Sequence, residues 1–592
     1  MSPKSRSASG SVSAASPPAE RLSQVAGHVA GAQGEGEALP SSSKRGRRSK
    51  GSRPAGPPAD YSDVLSNLQR LSQIAHTPDL SNRGYVRQKR DGKLWVRERL
   101  DLLVDNGSFR ELGSASGRVE WKQTGPRDEE PVSFQPTNNL QGFGLLGGRK
   151  VIITADDYTI RAGHADGAIS DKTVYSEKLA VSMNMPIIKL TDGSSGGGSV
   201  STIKTHGWSY VPGVPGFIHA VKGLNMGIPN LAAVLGPAIG IGAARAVISH
   251  FSVMAGDIGS LFNAGPQVVE GATFEEGLTL RELGGPGIHC LNGTIDNLAA
   301  NEAECFEQIR KVLSYLPNSG HSKLPPVIPT ADPITRVSEE LRTAIPRKKE
   351  RMYDARAIIK TVFDIDSWFE IGALWGRTAI VGLARLGGRP VGVISLNCEV
   401  NAGALDAGGS QKITRHLKLC DVMNLPIVQF VDVPGYAIGT VAEKQATMRW
   451  GVELGKAYIS TTIPIFSVLT RRVYGVAGGI MVACRDPMGR VAWPSGEWGS
   501  LPLDGGIEVG HRWELKQAEE AGKKKELYDQ LENEYRRLMN PIRTANAFGV
   551  EEIIDPAQTR SVVAEWAIQI YDDVLPQRLL DRAAGRIHPS FA

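Results

Sequence analysis

Cysteine is scarce in this chain: five residues in 592 (Cys290, Cys305, Cys398, Cys420 and Cys484), none in a C-x-x-C pair. That scarcity excludes a disulfide framework and a zinc ribbon, and it fits a reducing compartment. Histidine offers no metal site, because His206, His219, His250 and His416 lack ligand-like spacing and read as packed or surface residues. No run approaches the ~18 consecutive apolar residues of a membrane-spanning helix, and no signal-peptide core is present. A soluble, intracellular protein without a membrane partner is expected. A phosphate loop is disfavoured, since no G-x-x-x-x-G-K-S/T occurs. Excess charge is also missing from most of the chain. The formal net charge of +5 is concentrated in residues 1–58, where nine Lys and Arg meet three Glu; the remainder holds 58 basic and 59 acidic residues. A balanced body has no electrostatic footprint for nucleic acid.

Residues 1–58 are rich in Ser, Ala, Gly and Pro and contain no aromatic residue. Such a segment cannot bury enough apolar surface to offset ordering entropy, so a disordered basic tail is expected. The run Lys44-Arg45-Gly46-Arg47-Arg48-Ser49-Lys50 reads as a solvated tail in preference to a nuclear or membrane-surface signal. No acid precedes Glu20, which loosely resembles an organellar transit peptide, but the amphipathic apolar face is missing. Mitochondrial matrix and cytoplasm both stay open.

What is present is a long internal repeat. Ala162-Gly163-x-x-Asp166-x-x-x-Ser170-x-Lys172 returns 240 residues later as Ala402-Gly403-x-x-Asp406-x-x-x-Ser410-x-Lys412. Gly148-Arg149 returns as Gly388-Arg389, Asn184-x-Pro186-Ile187 as Asn424-x-Pro426-Ile427, and the acid Asp192 as Asp432. Upstream, Asp105-x-x-Ser108-Phe109-x-Glu111 is echoed by Asp364-x-x-Ser367-Trp368-x-Glu370. A period this long means two homologous domains, each of roughly 200–250 residues and able to bury its own core. Whatever one half binds, the other is expected to bind a chemical relative.

Apolar runs at 151–153, 187–190 and 231–235 read as buried strands of a mainly parallel sheet, separated by helices such as 172–183. The second half repeats them at 391–394, 427–431 and 465–469. A helical pattern at 94–103 stops at Asn106-Gly107. The proline-rich stretch 325–333 is the expected linker, so the domains run 61–323 and 334–586. A charged helix over 513–539 is expected to pack peripherally. The fold class is α/β.

Strands end in glycine four times: at Asp192-Gly193-Ser194-Ser195-Gly196-Gly197, Gly236-Pro237-Ala238-Ile239-Gly240-Ile241-Gly242-Ala243, Asp432-Val433-Pro434-Gly435-Tyr436 and Tyr474-Gly475-Val476-Ala477-Gly478-Gly479. Such turns can aim backbone amides at one spot beside a helix N-terminus, which makes an oxyanion hole. For one instance the plainer reading, a tight corner, would be preferred; four at matched positions favour chemistry. Gly193-Ser194-Ser195-Gly196-Gly197 also satisfies G-x-S-x-G, the nucleophile elbow of serine hydrolases, with His289 as a possible partner. A hydrolase gives no reason for the repeat.

From about Tyr61 to Arg586 the chain resembles the carboxyltransferase (beta) subunits of biotin-dependent acyl-CoA carboxylases, the propionyl-CoA and methylcrotonyl-CoA carboxylase family. The likeness is carried by Leu283-Gly284-Gly285-x-x-x-His289, Leu313-Ser314-Tyr315-Leu316-Pro317, Val431-Asp432-Val433-Pro434-Gly435-Tyr436 and Ile553-Ile554-Asp555-Pro556-x-x-Thr559-Arg560. It implies two tandem crotonase-like domains, acyl-CoA held by the first and carboxybiotin by the second. It also implies active sites between subunits of a homodimer or homohexamer. By this resemblance the amides of Gly196 and Gly197 hold the thioester oxygen, and those of Val476 and Ala477 the biotin ureido oxygen. Gly236, Gly240, Gly242 and Ala243 would line the CoA side, and Gly435, Tyr436, Gly475 and Gly479 the biotin side. Each hole would supply roughly 3–4 kcal/mol. No metal is implied. The chain has neither an ATP-binding carboxylase module nor a methionine-flanked biotinyl lysine, so a biotin carboxylase and carrier partner is expected. Where the family usually reads Gly-Gly-Ala-Tyr-Asp, this chain has Gly475-Val476-Ala477-Gly478-Gly479, and extra residues precede the first glycine pair. Those departures bear on the acyl group. A CoA-thioester decarboxylase or transcarboxylase and a non-catalytic assembly subunit are the alternatives.

Overall fold

The computed structural model describes residues 58–592 except 127, 165–166, 194–202, 205, 210, 212, 215, 349 and 485–488. Of the expected tail, residues 1–57 lie outside the described residues. By packing, the chain divides after Asp63, and the unit Val64–Ala592 holds both sheets.

The first sheet runs in the order β1 (Arg110–Leu112), β4 (Asn139–Leu146), β5 (Arg149–Asp156), β6 (Ile187–Gly193), β7 (Asn230–Ile239), β8 (Phe251–Ala255) and β10 (Asn297–Ala299), with β9 (Ser260–Phe262) paired to β7. A separate hairpin joins β2 (Gly117–Gln123) and β3 (Glu129–Pro136). The second sheet runs β11 (Phe369–Ile371), β12 (Ala379–Leu386), β13 (Arg389–Leu396), β14 (Ile427–Val433), β15 (Ile465–Tyr474) and β16 (Arg490–Ala492), with β17 (Glu497–Gly499) on β15. Both sheets are mixed. The strands from β5 to β10 and from β13 to β16 are parallel, whereas β1–β4–β5 and β11–β12–β13 are antiparallel edges, in which tight turns join β4 to β5 and β12 to β13. Every residue of β6 and β14 is buried, as both faces of a helix-covered sheet must be. The covering helices include α1 (Val96–Leu103), α2 (Ser170–Met183), α3 (Ile241–Val247), α4 (Glu302–Tyr315), α5 (Ala355–Val362), α6 (Ala407–Met423) and α7 (Gly475–Ala483). One hydrophobic core continues from Trp95 through both sheets to Phe591.

The repeated residues are mostly clamps, caps and corners. Asp105 accepts the amides of Gly147 and Gly148 at 2.9 and 2.7 Å, and Asp364 those of Gly387 and Gly388 at 3.0 and 2.7 Å, closing the equivalent hairpins. Lys172 donates to the Gly113 carbonyl at 2.9 Å, as Lys412 does to Gly372 at 2.8 Å. Asn184 and Asn424 end α2 and α6 in left-handed conformation, a task asparagine performs cheaply. Ala162 and Ala402 are also left-handed, at φ 50° and 51°, and tolerate about 1–3 kcal/mol of strain to turn the chain against the strand ends.

The charged stretch 513–539 is two helices, Arg512–Glu520 and Lys524–Leu538, because Gly522 at φ +69° ends the first. Residues 325–333 carry neither helix nor strand.

Candidate active site

Strand pairing slips at the same place in both sheets. Thr191 of β6 faces Val234 of β7, but Gly193 faces Ala238; Val431 of β14 faces Leu469 of β15, but Val433 faces Val473. Two residues on one strand thus span four on its neighbour, and the longer strand bulges before pairing resumes. The bulge lies at the carboxyl ends of parallel strands, where open α/β sheets bind ligands.

At the centre of each slip sits the repeated acid. Asp192, fully buried, accepts Lys93 Nζ at 2.6 Å and Arg99 Nη1 at 2.7 Å. Arg99 also reaches Glu302 on α4 at 2.6 Å and the Leu235 carbonyl at 2.9 Å. Burial pushes the Lys93 ammonium below its ordinary range, against the attraction of Asp192. Asp432 accepts Arg471 Nη2 at 2.8 Å, Arg472 Nε at 2.7 Å and the Tyr353 hydroxyl at 3.0 Å. Burial works against the Asp432 carboxylate, but Arg472 and Arg471 outweigh it and hold it below the usual range. Gly236 is buried beside the first cluster, where a Cβ would lie 2.5 Å from Lys93 Nζ and nearer still to Asp192.

Beyond the slip each sheet feeds a helix. Gly240 at φ +58° precedes α3 and Gly475 at φ +61° opens α7, a handedness that favours glycine. The Gly240 amide is spent on the Phe262 carbonyl at 2.9 Å, which leaves the first-turn amides of Gly242 and Ala243. On α7, Val476 is 70 % exposed and Gly479 is exposed one turn later, whereas Ala477 and Gly478 are buried. A Cβ at Gly479 or Gly435 would meet nothing within 4 Å. A cleft of about 350 Å³ adjoins this corner and is lined by Ala402, Pro434, Arg472, Tyr474 and Arg536, among others. Tyr436 lies across Gly451 and donates its hydroxyl to that residue's carbonyl at 3.1 Å; burial pushes its phenol up to about 12. The Gly435 carbonyl accepts the Leu405 amide at 3.0 Å, strapping the turn.

Gly196, Gly197, Ser194 and Ser195 lie outside the described residues. Their flank is placed: Gly193 and Gly163 pack backbone to backbone, with no room for a Cβ on either. His289, which a hydrolase would need, spends Nε2 on the Leu261 carbonyl at 2.6 Å. His250 and His416 are buried, and burial lowers each to about 3. Among the described residues no three His, Cys, Asp or Glu side chains could share a metal, and no helix is long and apolar enough to cross a membrane. Asp192 and Asp432 were visible in the repeat, but their partners were not. Arg471-Arg472 leaves a signal, adjacent cations in an apolar strand; Lys93, Arg99 and Tyr353 leave none, being placed by tertiary packing.

The sequence from 87 to 572 matches the carboxyl transferase domain family. The chain is 32% identical over 512 residues, covering 84% of it and 91% of the relative, to the biotin-dependent acetyl-/propionyl-coenzyme A carboxylase beta5 subunit of Mycobacterium leprae. It is 30% identical over 483 residues, 81% of it and 90% of the relative, to the methylmalonyl-CoA decarboxylase subunit alpha of Veillonella parvula. In three dimensions it resembles transcarboxylase 12S, solved as a hexamer with methylmalonyl-coenzyme A bound, at TM-score 0.75 and 26% identity over 88% of this chain and 97% of that one. Two similar mixed sheets in tandem, the twice-built strand end and a match across most of the sequence agree, and the chain belongs to the carboxyl transferase family.

Proposed function

We propose that the chain is the carboxyltransferase subunit of a biotin-dependent acyl-CoA carboxylase, moving a carboxyl group from carboxybiotin on a partner protein to the α- or γ-carbon of an acyl-CoA. The observation that carries this reading is the doubled corner: an acid-pinned strand end beside a helix N-terminus, built once in each sheet. Transfer between two carbonyl-like acceptors develops negative charge on two oxygens, and two amide corners answer two charges. We assign the thioester oxygen to Gly196 and Gly197, with the first-turn amides of Gly242 and Ala243 toward the CoA. Gly236 and Gly240 shape that side by packing. The second corner fits biotin. Val476 and Gly479 are exposed, and no side chain at Gly435 or Gly479 covers the opening. Val476 and Ala477 would hold the ureido oxygen through their amides, while Gly475 and Tyr436 keep the turn in shape. Biotin, when bound, supplies the carboxyl group. The domains would be 61–323 and 334–586, and a homodimer or homohexamer would complete the sites.

The Veillonella relative supports a second reading, a decarboxylase using the same half-reaction. Purified chain should decarboxylate methylmalonyl- or malonyl-CoA only when biotin is added, and should carboxylate acyl-CoA with ATP and bicarbonate only with a biotinylated partner. Carboxylation that needs a partner favours the carboxylase. ATP-dependent carboxylation by the chain alone would refute the assignment.

A further inference from the structure

The two acids of the strand slips are equivalent in position but are held from different places. Asp192 draws its cations from outside its sheet: Lys93 precedes α1 and Arg99 lies on it, and Arg99 is tied in turn to Glu302 on α4. Asp432 draws its cations from the neighbouring strand, through Arg471 and Arg472 at the end of β15. The reason is steric. The residue of β7 level with Arg471 is Gly236, since Asn230 and Ile465 hold equivalent places beside Ile187 and Ile427. A glycine supplies no charge, so the first half imports Lys93 and Arg99 into the space a side chain would have filled.

We propose that Lys93 and Arg99, acting through Asp192, are positioning residues for the acyl-CoA corner, and that Arg471 and Arg472, acting through Asp432, are the separate positioning residues for the biotin corner. Asp192 is the second-to-last residue of β6, and its carboxylate fixes the end of that strand, where Gly193 packs against Gly163. Asp432 does the same for Pro434 and Gly435, and its grip on Arg472 also fixes β15 three residues before Gly475. Each corner therefore has its own anchor, and loss of one anchor should disturb one substrate. A merely structural role would cost both substrates equally.

This rests on the carboxyltransferase reading, and the test separates the two. The full chain is assayed for biotin-dependent decarboxylation of methylmalonyl-CoA, with propionyl-CoA binding measured by calorimetry and oligomer size checked. Asp192→Asn keeps size and removes the charge. It should lower kcat/KM for the acyl-CoA by roughly 100-fold and weaken propionyl-CoA binding, with KM for biotin within about twofold of wild type, as a turn misplaced by an ångström would. Asp432→Asn should do the reverse. If Asp192→Asn does not fold, Lys93→Met, which leaves Arg99 on Asp192, is read with the same expected direction. Folded variants that raise both KM values alike, or neither, overturn the two-anchor proposal. A wild-type chain that neither binds propionyl-CoA nor decarboxylates methylmalonyl-CoA overturns the functional reading, and the proposal falls with it.

Discussion

Gly236→Ala should test the buried Lys93–Asp192 pair more directly than any change in the glycine turns. The added methyl would lie 2.5 Å from Lys93 Nζ and closer to the Asp192 carboxylate, in a place where Asp192 is fully buried and Lys93 is 6 % exposed. Neither group has solvent to retreat into. Overpacking of this kind costs about 1–3 kcal/mol, and the cost moves toward 3–5 kcal/mol if Lys93 is driven off a carboxylate that stays buried and charged. About 3 kcal/mol is the working value, a fall of roughly 3 °C in the unfolding midpoint if the continuous core of Val64–Ala592 melts as one unit. The matched control is Gly479→Ala, where the methyl meets nothing within 4 Å. Inside a helix that change should gain roughly 0.5–1 kcal/mol while narrowing the approach to Val476. Thermal unfolding followed by tryptophan fluorescence, with decarboxylation kinetics on the same samples, reads both. Gly236→Ala should lose stability and, with Lys93 displaced from Asp192, acyl-CoA affinity as well, whereas Gly479→Ala should lose biotin affinity without losing stability. A Gly236→Ala protein as stable as wild type would refute the wedged-cluster argument.

Three further outcomes are expected. Val476→Pro removes a first-turn amide that needs no intrahelical partner and places the ring on an exposed position, so carboxyl transfer should fall at least tenfold with melting unchanged, whereas Ala477→Pro would also crowd a buried site. Steady-state kinetics check this, and full activity in folded Val476→Pro would remove that amide from the mechanism. Burial lowers Lys412 to about 7. The unfolded lysine keeps its proton well above that, so the unfolded state binds more protons and stability should rise with pH from about 7 to 8.5, at up to about 1.4 kcal/mol per unit. Urea midpoints across that window should flatten in Lys412→Met, and an unchanged slope would discharge Lys412 from it. Deleting residues 1–58 should leave oligomer size and turnover unchanged, since the core and both sheets lie in Val64–Ala592; gel filtration and kinetics of the truncated chain decide it.

Repetition made this fold legible. A residue that returns at a fixed offset is under the same local constraint twice, and Asp105/Asp364, Asn184/Asn424 and Lys172/Lys412 prove to be local constraints: hairpin clamps, helix ends and carbonyl braces. The same reasoning placed the acids 192 and 432 at strand ends, because an acid closing an apolar strand announces a change of environment. The antiparallel edges were less legible. Strands β4 and β12 are nearly as buried as their parallel neighbours although Asn139, Gln141 and Arg385 interrupt their apolar character, and the hairpin turn that follows each fixes their direction. The charged stretch 513–539 reads as one helix in sequence because Gly522 counts for less in a composition than its positive φ does in a backbone.

What escaped the sequence is what breaks the repeat. Gly236 and Arg471 stand at matching positions yet share no chemistry, so alignment of the halves hides their relation. The pair makes sense only once the Asp192 carboxylate is seen to need a cation that β7 cannot provide, and once Lys93 is seen to arrive from 99 residues away to provide it. A duplicated domain that keeps its acid but changes the source of the countercharge has freed one half to answer to α1 and α4 while the other answers to its own sheet. If the two corners hold different substrates as proposed, each is adjustable without the other, and the place to look for that adjustment is where the repeat fails.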